Sequence, residues 1–149
     1  MSLEFDAIVL GAGAAGLFCA ATAGQRGKRV LLLDHNAEPG RKILISGGGR
    51  CNFTNLHTAP DRYLSANPHF CRSALARYTQ HDFIALVQKH RIPYHKKTLG
   101  QLFCDGSARQ VVEFLLRDMA DAGVKLWLGC AVQAVRRAAA GFEVETARG

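Results

Sequence analysis

The stretch FDAIVLGAGAAGLFCAATAGQRGKRVLLLD, Phe5 to Asp34, decides the fold. Phe5 to Leu10 is a short apolar run rich in β formers that ends abruptly at Gly11. It reads as a strand buried on both faces, as in a parallel sheet. A helical stretch follows from Ala14 to Arg26, with Gly27 as its C-terminal stop. RVLLLD is then a second buried strand ending at Asp34. The result is a β-α-β unit with three glycines at its first turn.

Gly11, Gly13 and Gly16 form a complete G-x-G-x-x-G between a strand and a helix. In that position the first glycine permits the tight turn and the second lets the backbone approach a pyrophosphate. The third lets helix and strand pack closely. Free N–H groups and the positive end of the helix dipole hold the phosphates. Asp34 stands 23 residues after Gly11, near the spacing of an acid that accepts bonds from a ribose hydroxyl. Its charge repels a 2′-phosphate, which favours the adenosine of FAD or NAD over NADP. The pattern points to a dinucleotide without separating NAD from FAD.

Composition agrees with an ordinary folded chain of 149 residues, 48% hydrophobic and 21% charged, long enough for one real core. Lys and Arg exceed Asp and Glu by 19 to 12, a net +7 that attracts phosphates of any kind. The cations are spread along the chain, with no RNP-like run or basic helix, so no nucleic-acid partner is expected. Five cysteines show no C-x-x-C spacing, which fits reduced thiols in a cytoplasm, and neither they nor the six histidines complete a metal-ligand spacing. Ala7 to Gln25 is uncharged, yet Glu4 and Asp6 precede it where a signal peptide carries cations. Four glycines also dilute that run, so neither export nor membrane insertion is expected.

After Asp34 the chain departs from a plain NAD-binding unit. HNAEPGRKILISGGGRCNFTN, His35 to Asn55, shows no helical period, and none is expected until about Asn67. So long an irregular segment in a small domain is usually functional or disordered. Ile43, Leu44 and Ile45 supply anchors that argue for order. Arg41, Lys42 and Arg50 can each pair with phosphate or stand as solvated side chains. Cys51 beside Arg50 has no partner cysteine in a C-x-x-C and reads as structural.

GAGAAG, Asp34 and GRKILISGGGRCNFTN together resemble the BaiN-like (YhiN-like) flavoproteins, also described as the aminoacetone oxidase family or NAD(P)/FAD-dependent oxidoreductases. The run Ser46 to Asn55 is the most diagnostic part. The resemblance implies a Rossmann-type, glutathione-reductase-like FAD-binding α/β domain, a parallel sheet with helices plus a small antiparallel meander. It puts Gly11, Gly13, Ala14, Ala15 and Gly16 on the pyrophosphate and Asp34 on the adenosine ribose, with His35 also among the cofactor-binding residues. Arg41, Lys42, Ser46, Gly47, Gly48, Gly49, Arg50 and Asn52 would run toward the flavin, and Val132 would touch adenine through its backbone. It also implies a flavin-dependent oxidoreductase passing hydride between flavin and a small organic substrate. NAD(P)H is a possible donor whose site is not in this chain. Gly100-Gln101-Leu102-Phe103-Cys104 departs from the family's G-R-x-F-P, which bears on substrate handling.

Further along, Asn67-Pro68 marks a helix start, with helices near 68–77 and 80–90. IPYHKKTLGQLFCD reads as a hairpin pivoting near Gly100, and Ser107 to Gln110 as a capping box for a helix to Ala122. VKLWLG is a third buried strand, and two more strands turn near Ala139 to Gly141. Ending at Gly149, residues 1–149 read as the N-terminal part of an FAD/NAD(P)-binding domain. The inserted substrate-side domain and the C-terminal flavin contacts that the resemblance implies are missing. That pattern suggests truncation, a split gene or a damaged gene. No residue stands out as a general acid or base. Three rival readings stay open: an NAD-binding module without flavin, a fragment that binds no cofactor productively, and a basic RNA-associated module that would need tight, salt-sensitive RNA binding.

Overall fold

The computed structural model describes residues 3–148. In chain order the elements are β1 (Ala7–Leu10), α1 (Ala14–Gln25), β2 (Val30–Leu33), α2 (Arg41–Ile45), β3 (Asn52–Asn55) and α3 (Arg72–Arg77). They continue with α4 (Gln80–Lys89), β4 (Tyr94–Lys96), β5 (Gln101–Cys104), α5 (Arg109–Asp121), β6 (Lys125–Trp127), β7 (Val132–Ala138) and β8 (Gly141–Thr146). Short 3-10 turns cover Ser46–Gly49, Pro60–Arg62 and Thr98–Gly100. The chain divides into two compact units, Met1–Ile43 with Val112–Gly149, and Leu44–Val111.

The first unit is the β-α-β core. β2 pairs in parallel with β1 on one side and β6 on the other. All four β2 residues are buried, as a central parallel strand requires. β1 and β6 are only partly buried, contrary to the expectation of strands covered on both faces. Among the described residues each has one neighbouring strand, and Leu10 is left 51% exposed. α1 runs as expected, stopping one residue short of Arg26. It packs on the end of α5: a Cβ at Gly24 would lie 2.8 Å from the Ala122 carbonyl. β7 and β8 form an antiparallel hairpin that turns where the sequence places it. Val132 and Val144 from that hairpin pack on a cluster of Leu31, Leu33 and Cys130, joined by Trp127.

The second unit is built on a three-stranded antiparallel sheet ordered β3-β5-β4. The hairpin of β4 and β5 pivots at Gly100 as read from the sequence. β3, by contrast, falls inside the segment expected to be irregular, and α2 and the Ser46–Gly49 turn precede it. Ile43 is the one fully buried anchor there, whereas Ile45 is 77% exposed. Pro68 does not open a helix. The Asn67 side-chain carbonyl accepts the His69 N–H and the Asn67 backbone carbonyl accepts that of Phe70, so a turn forms and α3 starts only at Arg72. α4 has a capping box unnoticed in the sequence, Thr79 and Asp82 each accepting the other's backbone N–H. At α5 half of the expected box forms: Gln110 accepts the Ser107 N–H, while the Ser107 hydroxyl accepts from Arg109 instead.

Candidate functional site

The glycine turn after β1 shows which of its glycines the fold itself demands. Gly16 faces the turn so closely that a Cβ would sit 1.8 Å from the Gly11 carbonyl oxygen and 3.5 Å from Leu32. Helix–strand packing therefore requires it. Gly13 is different. Its backbone is extended, at φ −85° and ψ −172°, a conformation open to any residue. A Cβ there would meet no atom within 4 Å. Neither conformation nor packing asks for glycine at 13; a ligand approaching the N-terminus of α1 would. Gly13, Ala14 and Ala15 are exposed, so that helix end is open to an anion.

Asp34 ties the end of β2 to this turn. Its Oδ2 accepts the backbone N–H of Ala12 at 2.7 Å. Its Oδ1 accepts the N–H of Asn36 at 2.7 Å and the Asn36 amide at 2.9 Å. His35 stands beside it, Nδ1 3.6 Å from Oδ1, with its own side chain 75% exposed. Burial pushes the Asp34 carboxyl up, but the N–H groups of Asn36 and Ala12, the Asn36 amide and the nearby His35 together hold it below its ordinary value. It is thus an anion in place, and among the described residues its Oδ2 accepts from Ala12. That acceptor fits the O–H of a ribose. The Asn36 side-chain oxygen in turn accepts from Arg41 at 2.7 Å, which links this guanidinium to Asp34 through Asn36. Gly40 donates to the Ala12 carbonyl at 2.7 Å, closing the loop back onto the glycine turn. Lys42 is exposed. Cys130 donates to the Asp34 carbonyl at 2.8 Å, so the chain entering β7 at Val132 lies beside the end of β2. The first unit therefore gathers Gly11, Gly13, Ala14, Ala15, Gly16, Asp34, His35, Arg41 and Val132 from four chain segments.

The second unit holds Ser46, Gly47, Gly48, Gly49, Arg50 and Asn52. Gly47, Gly48 and Gly49 have φ of 58°, 66° and 84°, a left-handed run that side chains resist. At Gly47 a Cβ would also press within 2.7 Å of the Phe103 ring and the Asn52 nitrogen. The turn is pinned through its carbonyls: Ser46 accepts from Cys51, Gly49 from Ala108, and Arg50 from Cys104. It is an ordered turn, and Arg50 projects exposed from its end. Asn52, oriented so that both ends of its amide are satisfied, donates to the Leu102 and Thr54 carbonyls, which engages its nitrogen in its own sheet. Cys51 is buried, and burial pushes its thiol up by more than the Ser46 hydroxyl lowers it. Burial with neighbouring Cys51 and Asp105 raises Cys104 to about 11. Neither is a reactive thiolate, which for Cys51 agrees with its structural reading.

One arrangement was invisible in the sequence. His95 stands opposite Phe103 in the β4–β5 ladder, their rings stacked with centroids 6.3 Å apart. Its Nδ1 is 2.6 Å from an Asp105 carboxylate oxygen. Only the strand register brings together residues ten apart in sequence. Among the described residues no group of three or more His, Cys, Asp or Glu is placed to hold a metal. No helix among them is long and apolar enough to cross a membrane.

Fold and glycine turn together define a Rossmann-type α/β domain. The chain belongs to the HI0933-like protein Rossmann domain family, which matches residues 5–149. It is similar to the ribosomal RNA dihydrouridine synthase of Escherichia coli K12, 60% identical over 142 residues that make up 95% of this chain and 36% of that protein. The protein of that name from Haemophilus influenzae is 55% identical over 92% of this chain and 34% of its own length. The chain thus spans about a third of these relatives. Among solved structures it is similar to Thermovibrio ammonificans THI4, at a TM-score of 0.58 and 13% identity over 95% of this chain and 45% of that one. It is likewise similar to halogenase PltM in complex with phloroglucinol and FAD, at 0.54 and 17% over 99% of this chain and 32% of that one. At such identities the last two report the fold alone.

Proposed function

We propose that the chain binds FAD and is the cofactor-binding portion of a flavin-dependent reductase. The observation that carries this reading is Gly13, a glycine that neither its backbone conformation nor its neighbours require, at the open N-terminus of α1. In this reading Gly11 to Gly16 hold the pyrophosphate, Asp34 and His35 hold the ribose, and the backbone at Val132 meets adenine. Arg41, Lys42, the Ser46–Gly49 turn, Arg50 and Asn52 lie toward the flavin. Asp34 orients the ribose and repels a 2′-phosphate. The cations balance the charge that builds up on a reduced flavin.

For the whole protein we propose reduction of a carbon–carbon double bond of a uracil base in ribosomal RNA. The support is the 60% and 55% identity to proteins named for making dihydrouridine. Bound and reduced, FAD supplies the hydride for such a step, and the second hydrogen arrives as a proton. NAD(P)H is the reductant class we assign, acting from outside this chain. This substrate is larger than the small organic molecule expected from the sequence, and it is supported by those relatives rather than by any RNA-binding motif.

The test is the absorbance spectrum of the purified chain titrated with FAD, with NAD as competitor. Saturable uptake of a yellow cofactor that NAD does not displace is the expected result. Binding of NAD alone, or of neither, would sink the flavin reading.

A further inference from the structure

Division of the chain into two units reveals that its charge is not evenly spread. Residues 44–111 carry nine Lys and Arg against three Asp and Glu, a net +6 of the whole chain's +7. Five of the six histidines lie there too. This basic unit also displays several large apolar side chains to water. All ten residues from Asp61 to Phe70 are exposed, among them Tyr63 at 50%, Leu64 at 99% and Phe70 at 80%. Exposed aromatics grouped in this way mark an interaction surface.

These residues adjoin a groove of about 600 Å³ lined by Asn55, His57, Thr58, Arg62, Tyr63 and Leu99, within the range of about 300–1,000 Å³ typical of ligand pockets. The turn bearing Phe70 and Arg72 lies alongside, since the Cys71 sulfur is 3.9 Å from the Pro60 carbonyl. The groove's floor is fixed by local bonds: Asn55 donates to the Leu99 carbonyl, and its oxygen accepts the His57 N–H. Asp61 lies 3.9 Å from Arg62 and is 76% exposed, where water screens the pair.

We infer that this face of the second unit is a docking surface for single-stranded RNA, with Arg62 and Arg72 on phosphates and Tyr63 and Phe70 as stacking platforms for bases. Cations that track a backbone beside aromatic faces are what a single strand needs, and neither element requires a sequence motif. This explains why the sequence showed no RNP-like run. The choice of RNA over another anionic surface rests on the ribosomal RNA reading above; the charge and the exposed rings do not depend on it.

The experiment uses the full 149-residue chain and a fluorescently labelled single-stranded RNA of mixed sequence, its anisotropy followed across a salt series. Binding should weaken linearly in log–log form as salt rises. R62E combined with R72E should flatten the slope by about 1.4, the share of two phosphates on a single strand. Y63A or F70A should each weaken binding about 5- to 150-fold while leaving the slope unchanged. All four side chains are exposed, so circular dichroism should match the parent chain. RNA binding that is absent, insensitive to salt, or unaltered by these substitutions overturns the inference. So does stronger binding to phosphatidylserine vesicles than to RNA, which would make the face a membrane surface. The flavin spectrum is read separately: RNA binding without FAD uptake would leave this inference standing while the cofactor reading fell, and the converse would do the opposite.

Discussion

Asp34 at the end of β2 and Ala12 in the glycine turn are joined by a carboxylate that accepts the backbone N–H at 2.7 Å. The residue read as a ribose acceptor is thus also a clamp on the turn that would hold the pyrophosphate. D34N should weaken the fold by about 1–3 kcal/mol, the cost of stripping a charged acceptor from groups that stay buried. The effect depends on pH. Because the folded-state carboxyl lies below its ordinary value, its contribution is full above about pH 4 and is lost as pH falls through the folded value. Thermal melts of both proteins should differ at pH 7 and converge toward pH 2. A gap that persists at low pH would refute the clamp.

Gly13 and Gly16 sit three residues apart in one motif and should fail differently. G16A drives a methyl into the Gly11 carbonyl and should destabilise by about 1–3 kcal/mol or more. G13A meets open space and should change stability by no more than about 0.5 kcal/mol, yet lose most FAD binding. Melting temperature and flavin titration separate the two. An unstable G13A, or one that binds FAD as well as the parent, contradicts the assignment.

The Ser46–Gly49 turn makes a related prediction. G47A has to bear both a left-handed φ of 58° and a contact with Phe103. It should cost about 1–3 kcal/mol. G48A, also left-handed but with no neighbour within 4 Å, should cost less. Chemical denaturation of the pair checks the order.

Cysteine alkylation followed by mass spectrometry should rank the thiols by exposure. Cys19 is exposed and should react first, whereas Cys51, Cys104 and Cys130 are buried and should react only on unfolding. At pH 8 the raised Cys104 adds a second barrier, since almost none of it is thiolate. Early labelling of Cys104 would show that β5 is not packed as described.

For His95, the Asp105 contact fixes which ring nitrogen carries the proton in the neutral form. Nitrogen-15 spectra should show the Nδ1–H tautomer in the parent chain, and D105N should remove that preference. An Nε2–H tautomer in the parent would break the pair.

Much of the first unit was legible because its determinants are local. A strand, a glycine turn, a helix and a second strand each follow from side-chain periodicity and backbone permissiveness within 30 residues, and Asp34 follows from its place at the strand end. The same reasoning marked Ser46 to Asn55 as unusual. α2 and β3 read as irregular chain in the sequence, because a five-residue helix and a four-residue strand carry too little periodicity. β3 exists through its pairing with β5, about fifty residues away. Strand register likewise decided that His95 meets both Phe103 and Asp105, and neighbour count decided that β2 is covered on both sides while β1 is not. Those are relations between distant segments. The excess of cations over acids in residues 44–111 can be counted along the chain, but only the folded chain shows that this stretch is one unit and that its rings lie exposed.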